Sequence, residues 1–216
     1  MVVDTHWRVS IATWTGIGPS VSTVGALAGL LAIHVSWLVA LLAVLWYSGF
    51  AGLDILSRWV RPPTWREGVR WALAGALLWT PSFAKSLRLG SDFQYPDYLA
   101  FHGLHMLVAC LVAPIAEEVL YRGVTYSALR SWNKTVAIVG STALFFVAHT
   151  SIGGLVLRGT AELSYVHGLA IILLGLITAH IYEKTGKLSL CIVFHSAGNT
   201  FVMLAPPMGY LLDLHL

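Results

Sequence analysis

Ala113-Pro114-Ile115-Ala116-Glu117-Glu118-Val119-Leu120-Tyr121-Arg122-Gly123 sets two acids and a base inside an otherwise apolar stretch. The helical pattern continues through Val124, Tyr126, Ala128 and Leu129 to a polar turn at Ser131-Trp132-Asn133-Lys134. In water such charges would be unremarkable. In lipid, a charged side chain at mid-bilayer costs at least about 2.5–3.5 kcal/mol, so it turns toward a partner or a water-filled cavity.

The rest of the chain points to lipid. Of its 216 residues, 57% are apolar and only 11% are charged, and the mean hydropathy is +0.75. A soluble domain carries about 25% charged residues. Thirteen Lys/Arg and ten Asp/Glu are too few to clothe a soluble fold of this size, and the apolar content excludes disorder. An all-α, polytopic membrane protein remains. The net charge of +3 does not point to nucleic acid, because the basic residues are scattered through short gaps between apolar runs. Cys110 and Cys191 both lie in apolar runs, so neither a disulfide framework nor a paired-cysteine metal site is indicated. The N-terminal MVVDTHWRVS lacks the pattern of a cleaved signal peptide.

A bilayer core is crossed by roughly 20 helical residues. Val9–Leu53 contains no Asp, Glu, Lys or Arg and has room for two spans. Trp71–Ala84 makes a third if Arg70 and Lys85 reach the two surfaces. Tyr98–Ala116, Thr135–Leu157, Leu163–Tyr182 and Leu188–Leu212 bring the expected number to seven. With the N-terminus in the cytoplasm, the inner segments hold nine cations: Arg8, Arg58, Arg61, Arg66, Arg70, Arg130, Lys134, Lys184 and Lys187. The outer segments hold Lys85, Arg88 and Arg158. That asymmetry gives an N-in, C-out topology, with Trp59, Trp65, Trp71 and Trp132 near the cytoplasmic interface. One domain is expected over residues 1–216, with a motif-bearing core at 98–212.

Glu117 lies fourteen residues before the 131–134 turn and His149 fifteen after Lys134, roughly 21 and 22 Å along their helices. Two antiparallel helices joined by that turn bring them to a similar depth. His195 and Asn199 are i, i+4 and share a face of the last span. His195 is only about 12 Å past Lys187. Either its helix begins deeper in the protein or the site is funnel-shaped. Glu118 and Arg122, also i, i+4, read as a structural bridge, which leaves Glu117 as the acid for chemistry. A carboxylate can take a proton from water and a nearby imidazole can relay it. A second imidazole and an amide can donate to a developing oxyanion. Together they describe a water-activating hydrolase. No H-E-x-x-H is present, although two His and a Glu that converge leave room for a divalent metal.

Glu117-Glu118-x-x-x-Arg122, Phe145-x-x-x-His149 and His195-x-x-x-Asn199 resemble, in order, the three motifs of the CPBP intramembrane proteases. This is the CAAX-protease and bacteriocin-processing group, which includes the Ras-converting prenyl-protein endopeptidase. The resemblance implies a helical membrane protein with a conical polar cavity open to the cytosol and a glutamate-type peptidase. Carried over by position, Glu117 is the principal base and His149 assists it. His195 and Asn199 form the oxyanion site, and Glu118 and Arg122 shape it. Apart from the resemblance, Phe145, four residues before His149, reads as packing that holds its ring. The family reading favours a site without metal and needs no other cofactor. It implies a peptide or protein substrate at the membrane, with no nucleic acid, and the compact chain suggests a bacterial inner membrane. Nothing in the residues points to a prenyl group.

Blander readings stand beside this one. Glu117 could be a second partner for Arg122, and His195 with Asn199 a helix–helix hydrogen-bonding pair. His102 and His105 read as interfacial or structural. His34, His167 and His180 read as lone hydrogen-bonded histidines in spans. Gly153-Gly154 could end the His149 helix or admit a substrate backbone. At the level of function, the alternatives are a non-catalytic binding or immunity protein of the same fold and, less favoured, a proton-coupled transporter.

Overall fold

The computed structural model describes residues 61–88, 106–149 and 165–213, together with Val35 and Val39. Among these residues the protein is all-helical, with no strand. The two spans expected in Val9–Leu53, the segments with His102, His105 and Gly153-Gly154, and the Lys85, Arg88 and Arg158 side chains lie outside the described residues.

Helix α1 (Trp65–Leu78) opens with a capping box. The Thr64 hydroxyl accepts from the Glu67 amide, and the Glu67 carboxylate accepts from the Thr64 amide at 2.8 Å, satisfying two donors that a helix start leaves orphaned. The single span expected over Trp71–Ala84 is instead broken at Trp79, and α2 (Thr80–Arg88) follows. The cause is Pro81, which has no N–H to offer the Leu77 carbonyl. The Thr80 hydroxyl donates to that carbonyl instead, at 2.9 Å.

The quoted stretch lies in an uninterrupted helical rod over residues 106–130. Its winding changes along its length. Val108–Val112 is a π-helix, α3 (Ala113–Glu118) is α-helical, Val119–Tyr126 is π-helical again, and α4 (Ser127–Arg130) ends the rod. The first π-turn has a local explanation. The Ala113 amide reaches back five residues to the Val108 carbonyl, and Pro114 then has no N–H to continue the ladder. The next carbonyl in that register, Ala109, therefore needs a donor from elsewhere.

After the 131–133 turn, α5 (Lys134–His149) runs back beside the rod. The Asn133 side chain accepts from the Val136 amide at 2.8 Å and starts the helix. Helices α6 (Tyr165–Thr185) and α7 (Leu188–Asp213) are joined through Gly186, whose φ of 62° suits a residue without Cβ. Gly168–Thr185 and Leu188–Gly209 are long and apolar enough to cross a membrane; Lys134–His149 is apolar but shorter.

The core gathers Trp79, Tyr121, Phe145, Ile171, Leu174 and Phe194. Helix α1 crosses α7 where both present glycine. A Cβ on Gly75 would lie 2.1 Å from the Phe194 carbonyl oxygen, and one on Gly198 would lie 2.4 Å from the Trp79 ring. Only bare backbone lets these helices approach so closely. Trp71 packs edge-on against Phe194 at 6.1 Å between ring centroids, and Phe83 stacks on Phe201 at 4.2 Å. Trp71 thus belongs to the α1–α7 contact rather than to a free interfacial belt.

The helix ends are tied together by charge. Lys187 reaches both oxygens of Glu67 at 2.8 and 2.9 Å. Arg130 makes two bonds to Glu183, at 3.0 and 3.1 Å. These contacts bring the start of α1, the 131–133 turn and the 186–187 turn to one end of the bundle, where the sequence places its inner cations. Leu188 is buried against Val119, Leu120 and Val124. Helix α7 therefore begins beside the middle of the rod, below its end, which decides the open question of depth. The last helix starts deeper, and His195 reaches the level of Glu117.

Candidate active site

Three helices deliver the predicted residues to one place. The rod brings Glu117, Glu118 and Arg122, α5 brings Phe145 and His149, and α7 brings His195. Glu117 Oε2 lies 3.5 Å from His149 Nε2 and 3.7 Å from His195 Nε2. Both imidazoles therefore turn the same ring nitrogen toward one carboxylate oxygen. Side-chain exposure grades across the cluster, with His149 at 18%, Glu117 at 10%, His195 at 2% and Glu118 and Arg122 at 0%. Glu117 and His149 stand at the accessible edge, and the remainder is sealed behind them.

The sealed part is a charge-balanced scaffold. Glu118 Oε2 and Arg122 Nε are 3.2 Å apart, as their i, i+4 spacing anticipates. The other oxygen of Glu118 meets His195 Nδ1 at 2.9 Å, a link that the sequence did not suggest. Arg122 Nη2 donates to the Gly175 carbonyl of α6 at 3.1 Å. A Cβ on Gly175 would come 2.8 Å from the Thr142 methyl, so the closely packed α5–α6 contact and the arginine anchor coincide. The guanidinium also lies 4.6 Å from the Phe145 ring centroid, in cation–π range.

Phe145 organises the imidazoles. It is fully buried, and its ring lies 4.2 Å from that of His149 and 5.8 Å from that of His195, centroid to centroid. Its carbonyl is 2.9 Å from His149 Nδ1. A carbonyl only accepts, so this contact fixes the proton on Nδ1. His149 Nε2 then faces Glu117 as a lone pair in the neutral ring and as a donor in the imidazolium. By the same reasoning, His195 Nδ1–H donates to Glu118 Oε1, and His195 Nε2 donates only when that ring carries both protons.

Asn199, expected at the oxyanion position, sits one turn beyond His195 and donates from Nδ2 to the Ala109 carbonyl at 2.7 Å. This is the carbonyl for which the π-turn before Pro114 provides no donor. One amide hydrogen of Asn199 is thus committed to the rod, and among the described residues the other has no acceptor. Of the lone histidines, His180 is exposed. The cysteines are free, with Cys191 buried and its Sγ 3.3 Å from the Thr178 carbonyl. Among the described residues, no group of three or more His, Cys, Asp or Glu is arranged to hold a metal ion.

Fold and site together define a class: a helical bundle, with two helices of membrane length among the described residues, built around a buried carboxylate–imidazole cluster. Residues 100–201 match the family described as Rce1-like, type II CAAX prenyl endopeptidase. The match covers a little under half of the chain and agrees with the resemblance of the three motifs to the CPBP family, a membrane protease family. The chain is also similar to a 24.3 kDa protein of Escherichia coli, described as uncharacterized, at 29% identity over 135 residues. The alignment covers 61% of this chain and 56% of that relative, so it spans little more than half of the relative's length. No solved structure matches.

Proposed function

We propose that the protein is an intramembrane endopeptidase that cuts a membrane-associated or C-terminal peptide segment with a glutamate-activated water. The observation that carries this reading is the approach of two Nε2 atoms to Glu117 Oε2, at 3.5 and 3.7 Å. A water lodged at the accessible edge would give a proton to Glu117, with the His149 Nε2 lone pair beside it as a second acceptor. The water oxygen would then attack the peptide carbonyl carbon. Negative charge would develop on the carbonyl oxygen, where His195 Nε2, when it carries a proton, and the second amide hydrogen of Asn199 are the donors. Collapse would break the C–N bond, and the departing amine would take the proton from Glu117. Arg122 and Glu118 act behind this by holding His195 in place.

The same proposal places the chain in a bacterial inner membrane with seven spans, the N-terminus in the cytoplasm and the site open to the cytosol. It takes a peptide or protein as substrate and requires no cofactor. The test is cleavage of an identified membrane substrate by reconstituted protein. Glu117→Gln and His149→Ala should each lower the single-turnover rate by a factor of about 10² to 10⁴, with folding unchanged by circular dichroism. Parent-like rates in both variants would leave a binding or immunity role for the fold.

A further inference from the structure

We propose that the charged end of the bundle is a docking surface for the headgroups of anionic phospholipids. The proposal rests on the membrane placement above and not on the peptidase chemistry. Among the described residues, seven cations and two carboxylates meet at this end. Both carboxylates already have partners within the protein. Glu67 is held by Lys187 and the Thr64 cap, and Glu183 accepts from Arg130 and from the Tyr126 hydroxyl.

That leaves Arg61, Arg66, Arg70, Lys134 and Lys184, all exposed. Lys134 is near enough to Glu183 to feel its charge, but Arg130 occupies both oxygens of that carboxylate. Lys134 also stands in the first turn of α5, where a cation opposes the helix dipole. Helix stability therefore gives no reason for a lysine there.

The surroundings choose the partner. Trp65 and Trp132 stand out from this end with 73% and 76% of their surface exposed, and Arg66 lies 5.4 Å from the centre of the Trp65 ring. Indole rings beside cations are the usual furniture of the headgroup layer. Below them α1 presents Val69, Leu73 and Leu77 outward, so the basic surface continues into an apolar face without a polar gap. With that apolar face in the hydrocarbon, the cations and indoles directly above it stand at the depth of the headgroups, where the anions within reach are lipid phosphates. Each cation near an anionic leaflet contributes about 1 kcal/mol of attraction, which salt weakens.

The experiment uses the full chain in a zwitterionic detergent, with phosphatidylglycerol or phosphatidylcholine added to the micelles. Phosphatidylglycerol should raise the melting temperature by several degrees more than phosphatidylcholine, and 0.5 M salt should remove most of that difference. The variant Arg66→Gln/Arg70→Gln/Lys134→Gln/Lys184→Gln should lose at least half of it while keeping its melting temperature in phosphatidylcholine. Equal responses to the two lipids overturn the proposal. So does a poly-glutamate peptide that matches the phosphatidylglycerol shift at equal charge. Resistance of the chain to alkaline extraction from cell membranes is measured alongside. Loss of that resistance would defeat the membrane placement itself, whereas an extraction-resistant chain indifferent to lipid charge would defeat only this inference.

Discussion

Asn199 carries two demands at the residue scale. Its spacing from His195 fits a donor to a reacting carbonyl, yet one of its hydrogens goes to the Ala109 carbonyl at 2.7 Å. Pro114 creates that second demand by interrupting the backbone ladder, so the two residues should be energetically coupled although 85 positions apart. Asn199→Ala leaves a carbonyl without its donor, at a cost of about 1–3 kcal/mol. In Pro114→Ala the rod regains an amide, and the same Asn199→Ala change should then cost measurably less. A double-mutant cycle on denaturation in detergent reads this as a coupling energy of about 0.5 kcal/mol or more. Additive effects would mean that the asparagine does not serve the broken ladder. The cycle measures stability alone, so it separates this role from any part that Asn199 takes in turnover.

At the scale of elements, the α1–α7 crossing turns on two glycines. Alanine favours a helix over glycine by about 1 kcal/mol, so Gly→Ala stabilises where space allows. Gly68 has such space, its added Cβ meeting only a Pro63 carbon at 3.9 Å. Gly75 has none, because the obstacle is the backbone oxygen of Phe194 at 2.1 Å. Gly68→Ala should therefore raise the melting temperature, and Gly75→Ala should lower it by the equivalent of about 1–3 kcal/mol. A stabilising Gly75→Ala would show that the helices do not approach as described. This crossing also marks where the sequence stops being legible. The Glu118–Arg122 bridge and the matched depths of Glu117 and His149 follow from helical spacing across one short turn, and local geometry sufficed to read them. The break at Trp79 had a local signal in Pro81, which a search for uncharged stretches passes over. The contacts from Gly75 to Phe194, from Asn199 to Ala109 and from His195 to Glu118 join distant segments. Spacing along one helix carries no information about which face another helix will cover. The depth of His195 needed the buried position of Leu188, a tertiary fact.

For the molecule as a whole, the charged end acts as a clasp between its first and last described helices, and its orientation is the most general claim. Lys187 beside Glu67, with the Thr64 cap, pulls the Glu67 carboxyl from 4.5 down to about 2. A carboxylate depressed in the folded state contributes its stabilisation in full above its unfolded value, near pH 4.5. That contribution fades as the pH falls toward 2. Wild type should thus lose stability relative to Glu67→Gln across that window, and the two melting curves should run parallel above it. A constant difference from pH 2 to pH 7 would remove the clasp. Because Lys187–Glu67 and Arg130–Glu183 bring both turns to one end, sites in those turns must also face the same compartment. In a background with Cys110 and Cys191 replaced by alanine, Ser131→Cys in the first turn and Gly186→Cys in the second should react together with an impermeant maleimide. Under the proposed topology the excess of Lys and Arg puts that compartment in the cytoplasm, so both sites should stay protected in intact cells and react in inverted vesicles. Labelling of the two from opposite sides would contradict the assembled bundle, whereas labelling of both from outside would keep the bundle and reverse its orientation in the membrane.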